Sequence, residues 1–164
     1  MSSIDHAKVL AQLLLAKGWK LSLAESCTGG LVCATLTELS GSSEWFERGY
    51  ITYSNQAKIE CLGVPANLIE SYGAVSEPVA KAMAQGAQRN AGANVGVSIT
   101  GIAGPAGGTA EKPVGTVCFG WTIPNAEGES VNNCETKLFN GDRQAIRQQA
   151  TEHALAGLLR LLKN

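Results

Sequence analysis

The chain has 164 residues, of which 45% are hydrophobic and 16% are charged, and its formal net charge is −1. This length and composition predict one globular domain spanning residues 1–164. The near-neutral charge gives no support for nucleic acid or a membrane surface as a partner. No apolar run has the length of a membrane span, and the amphipathic N-terminal segment lacks a signal-peptide core, so we expect a cytoplasmic location.

Cysteine and histidine content argues against two common kinds of site. The cysteines are odd in number and no pair has CxxC spacing, so neither a disulfide framework nor a zinc site is predicted. His6 and His153 both fall on predicted helices, and neither is near the polar motifs of the chain. We therefore expect no metal and no cofactor, and a histidine-based catalytic triad is hard to assemble. The cysteines are Cys27, Cys33, Cys61, Cys118 and Cys134.

Apolar periodicity and turn residues predict alternating helices and strands in the first half of the chain. The first helix is amphipathic and has a glycine at its C-terminal end, and the second predicted strand alternates β-branched and aromatic residues. The predicted elements are a helix from Ser2 or Ser3 to Lys17, a strand at Lys20–Leu23, a helix from Leu31 to about Leu39, a strand at Tyr50–Tyr53, a helix at Gln56–Leu62 capped by Asn55, and a helix at Pro65–Ser71.

The second half is predicted to contain a long helix, a strand, a hairpin and a final amphipathic helix. The predicted elements are a helix capped by Ser76 and ending at Gly92, a strand at Asn94–Thr100, a glycine-rich loop at Gly101–Pro113, hairpin strands at Val114–Ile123 and Ser130–Phe139, and a helix at Asp142–Leu162. Alternating strands and helices with one hairpin predict an α/β fold, a three-layer sandwich around a mixed sheet in a single domain.

Three polar clusters follow predicted strands, at Glu25–Gly30, Tyr53–Lys58 and Ser98–Pro105. Open α/β sheets bind ligands beyond the carboxyl ends of their strands, so these clusters are expected to converge on one rim of the sheet. The third cluster opens a loop that is long for a compact domain, and such loops are often functional.

The first cluster places a serine, a thiol, a hydroxyl and two glycines where a strand passes into a helix. Unpaired backbone N–H groups and the helix dipole favour anions or a developing oxyanion there. The alternative is an ordinary strand–turn–helix connection with a capping hydroxyl. The residues concerned are Ser26, Cys27, Thr28, Gly29 and Gly30.

Without a nearby histidine, a serine nucleophile requires another base. Lys58 lies in the first turns of a predicted helix, where the dipole disfavours its charged form, and serine–lysine pairs are a known variant of the catalytic triad. The alternative for Lys58 is a solvated surface lysine, which is the more frequent situation for this residue type. Cys27 could instead be the nucleophile if its position at a helix start lowers its pKa, or it could be a packed thiol.

The last predicted helix begins with two arginines, Arg143 and Arg147, that lie four residues apart and therefore share one helical face. Such a pair of guanidinium groups suits a phosphate. The alternative is that they offset neighbouring acidic side chains on a solvated face.

Six segments, taken together, closely resemble the C-terminal domain of the competence/damage-inducible protein family CinA. They are AESCTGG, SSEWFERGYITYSNQAK, LGV, GAVSEPVA, SITGIAGPAGGTAEKPVGTV and FNGDRQAIRQQA, and they span Ala24 to Ala150 in family order. No segment resembles the N-terminal molybdopterin-binding-like domain of two-domain members, so the free-standing form is expected. Free-standing members are nicotinamide-nucleotide amidohydrolases.

The resemblance implies hydrolysis of the carboxamide of nicotinamide mononucleotide, in pyridine-nucleotide recycling, without a metal. The family's serine and lysine match Ser26 and Lys58, and Tyr53 is a further catalytic candidate. The candidate substrate-binding residues are Thr28, Gly29 and Gly30 of the first cluster, together with Thr100, Gly101 and Arg143. Arg143 matches the arginine of the family's GDR segment, which the resemblance implies is a partner of the phosphate.

One departure from the family pattern is Gln56, where glutamate is expected, two residues before the lysine. Family precedent also implies a homodimer. Two alternative functions remain open on the sequence: a non-catalytic module that binds a pyridine nucleotide, and a cysteine amidase that uses Cys27.

Overall fold

Six α-helices, five strands and one short 3-10 helix (Ser42–Glu44) form the chain in the computed structural model, which describes residues 1–164. The helices are α1 (Ser3–Lys17), α2 (Leu31–Thr37), α3 (Asn55–Leu62), α4 (Ala66–Tyr72), α5 (Glu77–Ala91) and α6 (Arg143–Lys163). The strands are β1 (Leu21–Glu25), β2 (Phe46–Ile51), β3 (Val95–Gly101), β4 (Thr116–Pro124) and β5 (Ser130–Leu138). None of the helices combines the length and the apolar character needed to cross a bilayer.

The five strands form one mixed sheet in the order β2-β1-β3-β4-β5. Strand β1 pairs in parallel with both β2 and β3, whereas β3, β4 and β5 pair antiparallel. The carboxyl ends of β1, β2 and β3 therefore meet at one edge of the sheet. This topology brings the three polar clusters of the sequence to the same rim.

Helices cover both faces of the sheet, so the predicted three-layer α/β sandwich is confirmed. On one face, α1 and α6 pack on alternate residues of the strands, such as Val97, Phe119 and Trp121, and form the larger apolar core. On the other face, α5 lies unusually close to β3 and β4. A Cβ atom added to Gly96 would lie 2.2 Å from the carbonyl oxygen of Ala84, so that position requires glycine.

Two local predictions in the first half are wrong. The second strand was expected at Tyr50–Tyr53 but spans Phe46–Ile51, so Tyr53 lies beyond its end. This is an edge strand whose middle residues are exposed, so no apolar alternation marks it. The cap of α3 is Ser54, whose hydroxyl accepts from the N–H of Ala57, and Asn55 is already helical.

Candidate active site

A cavity of about 210 Å³ lies at the carboxyl ends of the parallel strands. Residues from all three polar clusters line it, together with the start of α6. The lining residues are Ser26, Cys27, Tyr53, Asn55, Lys58, Ala74, Val75, Thr100, Gly101, Ala103 and Arg143. The cavity thus brings together six of the candidate site residues, which are Ser26, Tyr53, Lys58, Thr100, Gly101 and Arg143. The other three candidates, Thr28, Gly29 and Gly30, do not line it.

Ser26 is the first residue after β1, and its backbone is held in the sheet because its N–H donates to the carbonyl of Ile99, at 2.9 Å. Its side-chain oxygen lies 3.0 Å from Nζ of Lys58, which is 32 residues away in the chain. Ser26 is only 7% exposed, and it faces the cavity. A hydroxyl at a cavity wall is therefore in direct contact with an amine.

Lys58 is 1% exposed, so the alternative of a solvated surface lysine is wrong. Besides Ser26 Oγ, its Nζ contacts the backbone oxygens of Thr52 at 2.9 Å and Tyr53 at 3.3 Å. Burial lowers the pKa of Lys58 below its ordinary value of 10.5. Nζ is the donor in all three contacts. A neutral amine would keep two N–H donors for the two carbonyls and offer its lone pair to the Ser26 hydroxyl.

Glu25, the last residue of β1, is a completely buried carboxylate that the sequence analysis assigned no role. Its Oε1 accepts from the Thr28 hydroxyl at 2.6 Å and from the N–H groups of Gly30 and Val32, both at 3.1 Å. Its Oε2 accepts from the N–H of Cys33 at 2.9 Å. Glu25 therefore satisfies the unpaired donors at the start of α2. An acidic residue just before a predicted helix start was the available signal.

In the second half of the turn, the backbone N–H groups donate to acceptors of the turn and of the residue before it. The N–H of Gly29 donates to the carbonyl of Ser26, at 3.0 Å, and the N–H of Gly30 is taken by Glu25. Gly29 has a φ of +57°, a left-handed conformation that favours glycine. In this conformation the N–H groups of both glycines are already paired within the turn, as is the hydroxyl of Thr28.

Arg147 reaches from α6 to the same turn. Its Nε donates to the carbonyl of Cys27 and its Nη2 to the carbonyl of Thr28, both at 3.0 Å. The spacing of Arg143 and Arg147 suggested two guanidinium groups directed at one phosphate, but Arg147 is directed at backbone carbonyls. These contacts join residues about 120 positions apart in the chain, so no local sequence pattern predicts them.

Arg143 does face the cavity, at the start of α6. Its Nη1 donates to the carbonyl of Gly104 at 2.8 Å, and its Nη2 donates to the Tyr53 hydroxyl at 2.9 Å. A guanidinium carries five N–H donors, so three remain free in this arrangement. Arg143 and Ala103 also line an adjoining cavity of about 430 Å³, so Arg143 lies at the boundary between the two spaces.

Tyr53 and Gln56 precede the lysine in the sequence, and neither side chain contacts its amine. The Tyr53 side chain is 59% exposed, and its backbone oxygen is the part that contacts Lys58. The amide of Gln56 donates to Glu60 at 2.9 Å, on the exposed side of α3. The departure from the family pattern at Gln56 therefore lies outside the cavity.

Thr100 and Gly101 form the wall at the end of β3. Thr100 is buried, and its hydroxyl donates to the carbonyl of Ala74 at 3.0 Å, which ties the loop before α5 to the cavity. Four lining residues were not among the candidates predicted from the sequence, and Asn55 is the polar one. The other three are small or apolar residues of loops, a type that carries no chemical signal in a sequence. They are Ala74, Val75 and Ala103.

Burial raises the pKa of Cys27 to about 12, with a smaller contribution from the charge of Glu25. The alternative in which a helix start lowers this pKa is wrong, because desolvation of the thiolate is the larger effect. Cys27 lines the cavity, but it is 5% exposed and is a thiol at neutral pH. No three His, Cys, Asp or Glu side chains are grouped in a way that could hold a metal ion.

The chain belongs to the CinA family, because the model of the CinA C-terminal domain matches residues 4–162. The fold is also that of solved members. A competence or damage-inducible protein from Enterobacter asburiae superposes with a TM-score of 0.92, at 36% sequence identity, with 99% of each chain covered.

Relatives fall into two lengths. A protein named nicotinamide-nucleotide amidohydrolase PncC, from Enterobacter agglomerans, is 52% identical over 152 residues, which cover 92% of this chain and 90% of that protein. A putative competence-damage inducible protein from Symbiobacterium thermophilum is 49% identical over 159 residues. The alignment covers 94% of this chain but 37% of that relative, so the chain spans little more than a third of its length.

Proposed function

We propose that this protein hydrolyses the carboxamide of nicotinamide mononucleotide, releasing ammonia and nicotinate mononucleotide. This is the kind of activity named for a relative of similar length. The observation that carries the proposal is the buried Nζ of Lys58, 3.0 Å from the Ser26 hydroxyl at the wall of a cavity. A serine with a desolvated amine beside it is the arrangement that activates a weak nucleophile without histidine.

Acylation begins with attack of Ser26 Oγ on the carboxamide carbon while Lys58 takes the hydroxyl proton. The resulting tetrahedral intermediate carries its negative charge on the former carbonyl oxygen, which a backbone N–H of the turn stabilises. When the C–N bond breaks, a proton is delivered to the nitrogen and ammonia leaves. Protonated Lys58 is the nearest donor to Ser26, and the Tyr53 hydroxyl is a second candidate.

Deacylation returns the enzyme to its starting state. Neutral Lys58 takes a proton from a water molecule, which attacks the ester carbon of the nicotinoyl–Ser26 intermediate. The second tetrahedral intermediate collapses, the carboxylate product forms, and the proton on Lys58 returns to Ser26 Oγ. Lowering of the Lys58 pKa by burial makes the neutral base available closer to physiological pH.

The substrate's phosphate is placed at Arg143 in this proposal. The guanidinium has free N–H donors after its bonds to Gly104 and Tyr53, and such a fork binds phosphate oxygens bidentately. The pyridine ring would enter the cavity beside Thr100 and Gly101, with the ribose directed toward the boundary that Arg143 forms. The proposed physiological role is recycling of pyridine nucleotides, and the homodimer remains a prediction.

Ammonia release from nicotinamide mononucleotide by the purified protein tests the proposal. Ammonia and nicotinate mononucleotide should appear in equal amounts, with and without a chelator, and Ser26→Ala should abolish both. Binding of the nucleotide without turnover would favour the alternative of a non-catalytic binding module. Activity that is lost on chelation and restored by zinc would contradict the metal-free serine–lysine mechanism.

A further inference from the structure

The turn after β1 leaves one backbone donor at the cavity. The N–H groups of Ser26, Gly29 and Gly30 are each bonded to an acceptor within the protein. Those of Cys27 and Thr28 donate to no acceptor of another residue, and the N–H of Cys27 lies near its own thiol sulfur. Thr28 is completely buried and does not line the cavity, whereas Cys27 does. Of these two residues only Cys27 belongs to the cavity wall, so its N–H is the candidate donor of the turn to a bound substrate.

The direction of this N–H is determined by the carbonyl of the same peptide group. The Ser26 oxygen accepts from the N–H of Gly29 at 3.0 Å. In a planar trans peptide the C=O and the following N–H point in opposite directions. Because the hydrogen bond from Gly29 fixes the direction of the Ser26 carbonyl, it also fixes the N–H of Cys27, which points away from that carbonyl.

Arg147 holds the next peptide groups in the same way. Its Nη2 donates to the Thr28 oxygen, so the peptide that carries the Gly29 N–H is fixed at both ends. Its Nε donates to the Cys27 oxygen, which fixes the peptide between them. Each carbonyl from Ser26 to Thr28 thus has a partner. Arg147 is the partner of the Cys27 oxygen and shares the Thr28 oxygen with the N–H of Leu31, which lies 3.0 Å from it. A Cβ added to Gly29 would lie 3.4 Å from Nη2, in contact with the guanidinium.

We propose that Arg147 is a positioning residue that aims the N–H of Cys27 at the oxyanion formed during amide hydrolysis. This inference rests on the proposed function for its chemistry, but the geometry it describes does not. Arg147 touches the turn and not the cavity, so it acts only through the backbone. A lysine cannot reproduce its effect, because a single ammonium lacks the fork that contacts two carbonyls at once.

The kinetic experiment compares Arg147→Lys with the wild type on nicotinamide mononucleotide. We expect kcat to fall roughly ten- to a hundredfold while KM stays within about twofold, since only transition-state stabilisation is lost. The matched control is Arg160→Lys on the same helix, whose side chain is 56% exposed and 3.7 Å from Glu135. It should leave both constants unchanged. Methylguanidinium at low millimolar concentration should partly restore kcat to Arg147→Ala.

Amide NMR of 15N-labelled protein supplies a readout that does not depend on turnover. In Arg147→Lys the amide signals of Cys27, Thr28 and Gly29 should move, while that of Gly30, bonded to Glu25, stays in place as an internal reference. A Cys27 signal that does not move, or a rise in KM without a fall in kcat, overturns the inference. If the wild type releases no ammonia, the proposed function fails, and the amide signals still decide the role of Arg147.

Discussion

Replacing Glu25 by glutamine is expected to destabilise the fold by about 2.5–4 kcal/mol. Glutamine keeps Oε1, which accepts three of the four hydrogen bonds, but presents an NH₂ group where Oε2 accepts from the N–H of Cys33. Losing this bond to a charged group costs about 1.5–3 kcal/mol, and two donors facing each other in a buried site add about 1 kcal/mol.

Urea unfolding followed by circular dichroism measures this difference, with the slope m used to check that the denatured state is unchanged. The control is Glu38→Gln at the exposed C-terminal end of α2, which should change stability by less than about 0.5 kcal/mol. If Glu25→Gln is as stable as this control, the carboxylate does not organise the start of α2, and the description of the turn is incorrect.

The remaining predictions concern the reaction. Ser26→Ala, Lys58→Ala and the double variant should fall to similarly low rates because the pair acts as one unit, and additive losses would argue against it. Cys27→Ala should keep most of the activity, since burial raises the pKa of that thiol to about 12; an acyl adduct on Cys27 in quenched enzyme would contradict this. Arg143→Ala should raise KM far more for nicotinamide mononucleotide than for nicotinamide riboside, and equal effects would rule out phosphate recognition. The rate should rise with pH to a midpoint below 10.5 as Lys58 loses its proton, and a pH-independent profile would exclude Lys58 as the base.

Most of the fold could be predicted because its signals are local. Periodicity of apolar residues and glycine at helix ends were sufficient to place α1, α5 and α6 within a residue or two. Strand β2 could not be placed in this way, because its exposed residues between Phe46 and Ile51 pair through backbone hydrogen bonds alone. Strand β1 was predicted to end two residues early for a different reason: Glu25 is an ionisable residue that opens a polar cluster, and the sequence alone does not show that it is buried.

The positions of the candidate nucleophile and base were also accessible from the sequence, since Ser26 and Lys58 lie in motifs that follow strands. The burial and the hydrogen-bond partners of these side chains could not be predicted from the sequence. Whether Lys58 is solvated or buried depends on how α3 packs, and the pKa of Cys27 depends on desolvation, which outweighs the local helix effect.

By itself, then, the sequence determined the family, the α/β alternation and the order in which the polar motifs follow the strands. Only the tertiary structure decided that Lys58 Nζ lies 3.0 Å from Ser26 Oγ, that Glu25 holds the start of α2, and that Arg147 binds the turn. The physical reason is that hydrogen bonds and desolvation act through space. The contact between Arg147 and Cys27 joins residues 120 positions apart, and local periodicity carries no information at that separation.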